Sequence, residues 1–111
     1  MDCIFCKIVE GTVPSTKVYE DDNFIVIKDI NPQAPVHLLV IPKRHYPTLM
    51  DCDERDVLGG LIDVAKRVST EKRLHERGFR LVINTNEEGG QTVFHLHMHI
   101  LAGRALSGKM G

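Results

Sequence analysis

Close to the C-terminal end, His95-Leu96-His97-Met98-His99-Ile100 alternates imidazoles with apolar side chains. A period of two is what a half-buried β-strand requires, because successive side chains point to opposite faces and rise about 3.3 Å each. On that reading His95, His97 and His99 share one face at steps of roughly 6.6 Å, with Leu96, Met98 and Ile100 packed on the other. A solvated strand face is built more simply from Thr or charged residues, so three imidazoles in register point to chemistry. Two chemistries want them. Neutral imidazole is a common metal ligand, and His-x-His on a strand can chelate one ion. A neutral imidazole can also attack phosphorus while neighbouring groups hold the non-bridging oxygens. Just upstream, Glu88-Gly89-Gly90-Gln91-Thr92 supplies two glycines that let backbone N–H groups approach an anion, with an amide and a hydroxyl beside them. A hydrolytic zinc site would want a carboxylate as ligand or base, and none lies on the histidine face. Phosphate chemistry is the better match, although a Gly-Gly pair taken alone is more often a turn.

The elements that must position this strand can be read from the rest of the chain. Its 111 residues, 42% hydrophobic and 26% charged, suit a single domain, 1–111, with one core. The formal net charge of −1 and scattered Lys and Arg leave no electrostatic footprint for nucleic acid. The longest apolar stretch, 36–41, is too short to span a bilayer, and the first residues do not form a secretory signal. A soluble cytoplasmic protein with no membrane partner is expected. Three cysteines are an odd number for a disulfide framework, and Cys3-x-x-Cys6 has no strand before it to make a thioredoxin-like motif.

Asp2 is placed to cap a short helix over 3–10 that Gly11 ends. Strands are expected at 17–20, 24–30, 36–41, 79–84 and 93–101. Asp53 is placed to cap one long helix, in which Val57, Leu58, Leu61, Ile62, Ala65 and Val68 recur at helical spacing. Gly59-Gly60 inside that helix costs roughly 1 kcal/mol per glycine against Ala, which implies a close approach to its backbone. The charged segment 71–80 reads as a solvated helix end, with His75 idle in it. Five strands and two helices, mostly with short connections between strands, give an α+β fold with a five-stranded antiparallel sheet.

The run 95–101 resembles the H-φ-H-φ-H-φ-φ signature of the histidine-triad (HIT) family, φ being apolar, and its surroundings resemble the Hint branch of that family. Ile4-Phe5-Cys6-Lys7-Ile8, the run 29–35 from Asp29 to Pro35, 37–43 from His37 to Lys43, Asn84, and Gly89-Gly90-Gln91-Thr92 carry the likeness over about residues 3–104. It implies a homodimer of two joined five-stranded sheets, each subunit hydrolysing a purine nucleoside 5′-phosphoramidate or acyl nucleotide to an AMP- or GMP-type product. It implies His97 as the nucleophile that becomes nucleotidylated, a role suited to the histidine with an imidazole on each side. His99 would then contact phosphate or the leaving group as general acid, and His37 would support the triad by hydrogen bonding. Asn84, Gly90, Gln91 and Thr92 would orient the phosphate, Asp29 would accept from the ribose hydroxyls, and Ile4, Phe5, Ile8, Ile27 and Ile30 would form the purine slot.

Cys3 and Cys6 need two further ligands to make a tetrahedral structural zinc site. His45 and His95 are the candidates, as in some bacterial histidine-triad proteins. The plain alternative is a pair of buried thiols on one helix face. Cys52 fits no site. No organic cofactor is implied. The chain has no Trp, so its tail after Arg104 lacks the residue that some eukaryotic relatives extend toward a partner's site. Three readings follow for function: the phosphoramidate hydrolase, with a dinucleoside polyphosphate hydrolase as its nearest enzymatic variant; a metallohydrolase liganded by His95, His97 and His99; and a non-catalytic, zinc-stabilised nucleotide-binding module.

Overall fold

The computed structural model describes residues 2–111; Met1 lies outside them. Its elements are α1 (Ile4–Glu10), β1 (Lys17–Glu20), β2 (Phe24–Lys28), β3 (Val36–Pro42), α2 (Arg55–Glu71), β4 (Phe79–Val82) and β5 (Met98–Ala102). Two short 3-10 turns, Leu49–Asp51 and Leu74–Glu76, were not foreseen. The strands form one sheet in the order β1-β2-β3-β5-β4, antiparallel throughout. The α+β class with a five-stranded antiparallel sheet is therefore as the sequence implies.

Both faces of the sheet are covered. On one, α2 lays Leu61, Val64, Ala65 and Val68 against Phe24, Val26, Leu38, Val40, Met98 and Ile100. On the other, α1 lays Phe5 and Ile8 against Ile25, Ile27, Leu39 and Ile41. Double coverage explains why Phe24 to Ile27 are all buried rather than alternating.

Several boundaries differ from expectation for local reasons. The cap of α1 is Cys3, whose sulfur accepts from Cys6 N–H at 3.4 Å, while Asp2 pairs with Lys7 at 3.3 Å. Gly11 ends the helix in the left-handed region, at φ 84°, as its position implied. Glu54 rather than Asp53 caps α2, without a side-chain hydrogen bond. The segment 71–80 is no helix end: α2 stops at Glu71, and Arg80 sits within β4.

The largest departure is at the histidines. β5 begins only at Met98, so His95 and His97 precede the ladder and His99 alone lies in it. Val40 pairs with Met98, and the same register would set Pro42 against Leu96. Proline has no N–H to donate to a ladder. Leu96 N–H donates instead to the Tyr46 carbonyl at 2.7 Å, and the chain bends over 93–95 without pairing to β3.

The two glycines of α2 have opposite surroundings. A Cβ on Gly60 would stand 2.5 Å from Phe24 Cζ, whereas one on Gly59 would meet nothing within 4 Å. Phe24 is itself buried and has little room to retreat. Gly59→Ala should therefore gain up to about 1 kcal/mol from helix propensity, and Gly60→Ala should lose about 1–2 kcal/mol net through overpacking. Thermal denaturation of both variants checks this: equal shifts of the same sign would contradict the packing of α2 on β2.

Candidate functional site

A cavity of about 470 Å³ opens between α1 and the end of the sheet. Phe5, Ile8, Ile27 and Leu39 form its apolar wall, and His37, His97, His99, Asp29 and Thr92 bring polar groups to it. Ile4 and Ile30 also line it, Ile30 with its side chain wholly exposed at the rim. The α1 helix is what encloses the imidazoles: the Phe5 ring meets the His97 ring edge-on, with centroids 5.0 Å apart.

Hydrogen bonds fix the state of each imidazole. His97 Nδ1–H donates to the His95 carbonyl at 2.7 Å. A neutral imidazole carries one proton, so the lone pair of His97 is on Nε2. Gln33 N–H donates to His37 Nδ1 at 3.0 Å, which puts the His37 proton on Nε2. That proton faces His99 Nδ1 at 2.8 Å and Asp29 Oδ2 at 3.3 Å. Donation to His99 leaves the proton of His99 on its own Nε2. His37 and His99 meet because the register places Leu39 opposite His99, so His37 is its diagonal neighbour on the same face. The 2.8 Å pair thus links β3 to β5.

Burial holds all these rings neutral. His37, His95 and His97 are each shifted below the usual imidazole range, burial being the main cause. Burial, followed by the neighbouring His97 and His37 rings, pushes His99 down to about 4. The site is therefore supplied with unprotonated nitrogen at neutral pH without help from a base.

Beside it lies a second cluster. The ligand atoms of Cys3, Cys6, His45 and His95 all fall within 4.8 Å of one another. Nδ1 of His95 stands 3.3 Å from Cys3 Sγ, 3.6 Å from Cys6 Sγ and 3.2 Å from His45 Nδ1, and His45 Nδ1 is 3.4 Å from Cys6 Sγ. These are the edge lengths that bonds of about 2.3 Å to sulfur and 2.0–2.1 Å to nitrogen produce around a tetrahedron. His95 Nε2–H donates to the Pro42 carbonyl at 2.7 Å, which leaves its Nδ1 lone pair directed into the cluster. Burial and the Cys3 thiol push Cys6 up to about 11, so a bound cation would be needed to draw off its proton. The four residues fit a structural metal. His95, His97 and His99 do not converge on a common point, and the arrangement gives no support to a metallohydrolase built on them.

The loop before the histidines is closed by its own hydrogen bonds. Gly90 N–H donates to the Glu87 carbonyl at 2.9 Å, and Gln91 N–H to the Asn86 carbonyl at 3.0 Å. The buried Gln91 side chain accepts from Asn86 N–H and donates to the Pro47 and Val93 carbonyls. These donors build the loop and are not offered to an anion. Asn84, Gly90 and Gln91 stay outside the cavity lining, and Thr92 is the one of the four expected phosphate contacts that reaches it. Two backbone groups were missed, Gln33 N–H and the Pro42 carbonyl. Side-chain type carries no signal for either.

The profile of the HIT domain matches residues 10–106. The chain is a hydrolase of the HIT family. It is 44% identical to the purine nucleoside phosphoramidase of Escherichia coli K12 over 107 residues, covering 95% of this chain and 90% of that protein. A histidine triad protein from Clostridium difficile superposes with a TM-score of 0.95 at 50% identity, covering 98% of this chain and 96% of that one. A zinc-bound histidine triad family protein from Mycobacterium smegmatis does so with a TM-score of 0.86 at 40% identity, covering 94% and 76%. Among the described residues, no helix is long and apolar enough to cross a membrane.

The tautomers and burial yield a direct expectation. The His99 ring proton followed by NMR should titrate with a midpoint near 4, well below the ~6.5 of a free imidazole. The unfolded chain takes up that proton near pH 6.5 and the folded one only near 4. His99 therefore lowers stability progressively as pH falls across that interval. A midpoint at 6.5 would contradict the enclosure of this ring.

Proposed function

We propose that the protein cleaves purine nucleoside 5′-phosphoramidates, or the corresponding acyl nucleotides, through a nucleotidyl-His97 intermediate that water hydrolyses to the nucleoside monophosphate. The observation that carries this reading is the bond from His97 Nδ1–H to the His95 carbonyl, which leaves a neutral nucleophilic nitrogen on a ring lining the cavity. The family relationship to a purine nucleoside phosphoramidase supports the substrate class.

The chemistry follows from the fixed protons. The Nε2 lone pair of His97 forms a bond to phosphorus as the bond from phosphorus to the leaving nitrogen breaks. The departing amine takes its proton from solvent water, while the neutral His99 ring keeps its only proton and donates a hydrogen bond from Nε2–H to the leaving nitrogen. Positive charge that develops on the His97 ring is stabilised by the His95 carbonyl dipole at Nδ1, an interaction already in place before reaction. Water then attacks the phosphorus and releases its proton to solvent as the bond to His97 breaks. Thr92 is the hydroxyl that meets the phosphate, Asp29 takes the ribose hydroxyls, and Phe5, Ile8 and Ile27 hold the purine with Ile30 at the rim. Every atom comes from substrate, water and imidazole, so no organic cofactor is needed.

Cys3, Cys6, His45 and His95 hold a structural zinc ion, which when bound would tie α1 and the 43–46 segment to the catalytic chain. The whole chain acts as one HIT domain in the cytoplasm and pairs as a homodimer. The free edge strand β4, half-buried along its length, supports that pairing.

Incubation with an adenosine phosphoramidate and rapid acid-free quenching should trap a phosphorus-linked adduct that peptide mapping assigns to His97. His97→Ala should form none and lose at least about a hundredfold in kcat, the scale of a removed nucleophile or acid–base group. A normal adduct in His97→Ala would overturn the mechanism, and tight AMP binding without turnover by the unaltered protein would favour a binding module. Metal analysis should find one zinc per chain. Cys3→Ser should lose it, and its melting temperature should drop by at least the roughly 4–8 °C that 1 kcal/mol represents in so small a protein. Zinc retained in Cys3→Ser would exclude the four-residue site.

A further inference from the structure

The proton positions on His37 and His99 depend on the loop 29–35, and that loop is fastened from outside. Within it, Asn31 N–H donates to Asp29 Oδ1 at 2.8 Å, Gln33 Nε2 donates to the Asn31 carbonyl at 3.1 Å, and Asp29 N–H donates to the His37 carbonyl at 3.0 Å. These bonds are internal to 29–37. Gln33 also accepts, on its carbonyl, a bond of 3.2 Å from Arg104 Nη2, and Arg104 Nη1 donates to the Ala105 carbonyl at 3.0 Å. The guanidinium is thus seated between two carbonyls, one of them in the loop.

Arg104 follows β5, the strand that carries His99. The residue before it, Gly103, has φ 99°, and a Cβ there would stand 2.8 Å from Pro35 Cβ and 3.3 Å from Val36 N. The turn after β5 therefore lies directly on the end of the loop. The bonds close a ring: Arg104 to the Gln33 carbonyl, Gln33 N–H to His37, His37 to His99, and β5 back to Arg104.

We propose that Arg104 is a positioning residue which, by holding Gln33, selects the His37 tautomer and so keeps the proton of His99 on Nε2. Its catalytic consequence rests on the reading given above of His99 Nε2–H as hydrogen-bond donor to the leaving group. Without the latch, Gln33 N–H is no longer aimed at Nδ1, and His37 is free to carry its proton on either nitrogen. When that proton leaves Nε2, His99 is no longer held with its own proton facing the leaving group. Guanidinium suits the task because its charge strengthens the bond to a carbonyl and its fork reaches two at once.

The test uses the full chain labelled with ¹⁵N in histidine, without substrate. Long-range ¹H–¹⁵N spectra report which nitrogen of each ring is protonated. The unaltered protein should show His37 and His99 each protonated at Nε2. Arg104→Ala should show a mixture at both, and Arg104→Lys, which can still donate to Gln33, should restore most of the single form. Gly103→Ala, which pushes the turn off Pro35 and leaves the guanidinium intact, should also give a mixture. With an adenosine phosphoramidate, Arg104→Ala should lower kcat roughly three- to tenfold, the scale of one net hydrogen bond, with KM within about twofold. His37 and His99 remaining single tautomers in folded Arg104→Ala and Gly103→Ala would overturn the proposal. An unaltered protein that fails to turn over the substrate would count against the proposed reaction alone, since the spectra read the tautomers without it.

Discussion

The hydrogen bond from His97 Nδ1–H to the carbonyl of His95 is the constraint on which the site depends, because it decides which nitrogen of that ring keeps its lone pair. A bond of this kind is only as definite as the backbone that accepts it. His95 lies outside the ladder, where the sheet no longer holds it, so something else must. Its ring does so twice over: Nε2–H is anchored on Pro42 at the end of β3, and Nδ1 reaches the Cys3, Cys6 and His45 cluster. The histidine nearest the loop is therefore spent on holding the carbonyl that orients the next one. Three residues of one type, evenly spaced, are set apart by what each ring's second nitrogen touches: His95 is tied at both nitrogens, His97 keeps a lone pair on Nε2, and His99 keeps a proton there.

The sheet makes this division possible by being covered on both sides. α2 closes one face with an apolar layer that needs no polar partner, so the opposite face is free to carry imidazoles beneath α1. There Phe5 and Ile8 do two things: they complete the smaller apolar cluster and they desolvate the histidines. Desolvation alone would strand polar nitrogens, and the structure meets that cost by giving His37, His95 and His97 each a backbone partner.

Much of this was legible in the sequence, and what was not has identifiable causes. Apolar, β-branched runs bounded by turn residues placed β2 and β3, and helical spacing placed α2, because both report what is buried. Gly60 announced the approach of Phe24 for the same reason. The failures cluster where backbone rather than side chain decides. Nothing in the alternation of residues 93–97 reveals that Pro42 ends the ladder on the neighbouring strand. Gly89 and Gly90 looked like an anion cradle, yet a Cβ on Gly89 would stand 2.5 Å from the Thr85 carbonyl, so that glycine lets the loop close on itself. Gln91 looked like a phosphate contact because an amide can serve either a ligand or a loop, and only its three backbone partners tell which. Asp2 and Asp53 were reasonable caps by residue type. A sulfur already fixed in the Cys3–Cys6 cluster took the first position.

The balance of charge around the cavity has one further consequence. Asp29 is the single carboxylate among the lining residues, and it favours protonation of His37, His97 and His99 while burial opposes it. A carboxylate beside His97 would return its Nε2 lone pair to a proton. Asp29 is instead occupied on both oxygens, Oδ1 by Asn31 N–H and Oδ2 by His37 Nε2 at 3.3 Å. Burial is the larger influence on all three rings, and they remain neutral. A second carboxylate in the lining would tip that balance and raise the proton affinity of these rings.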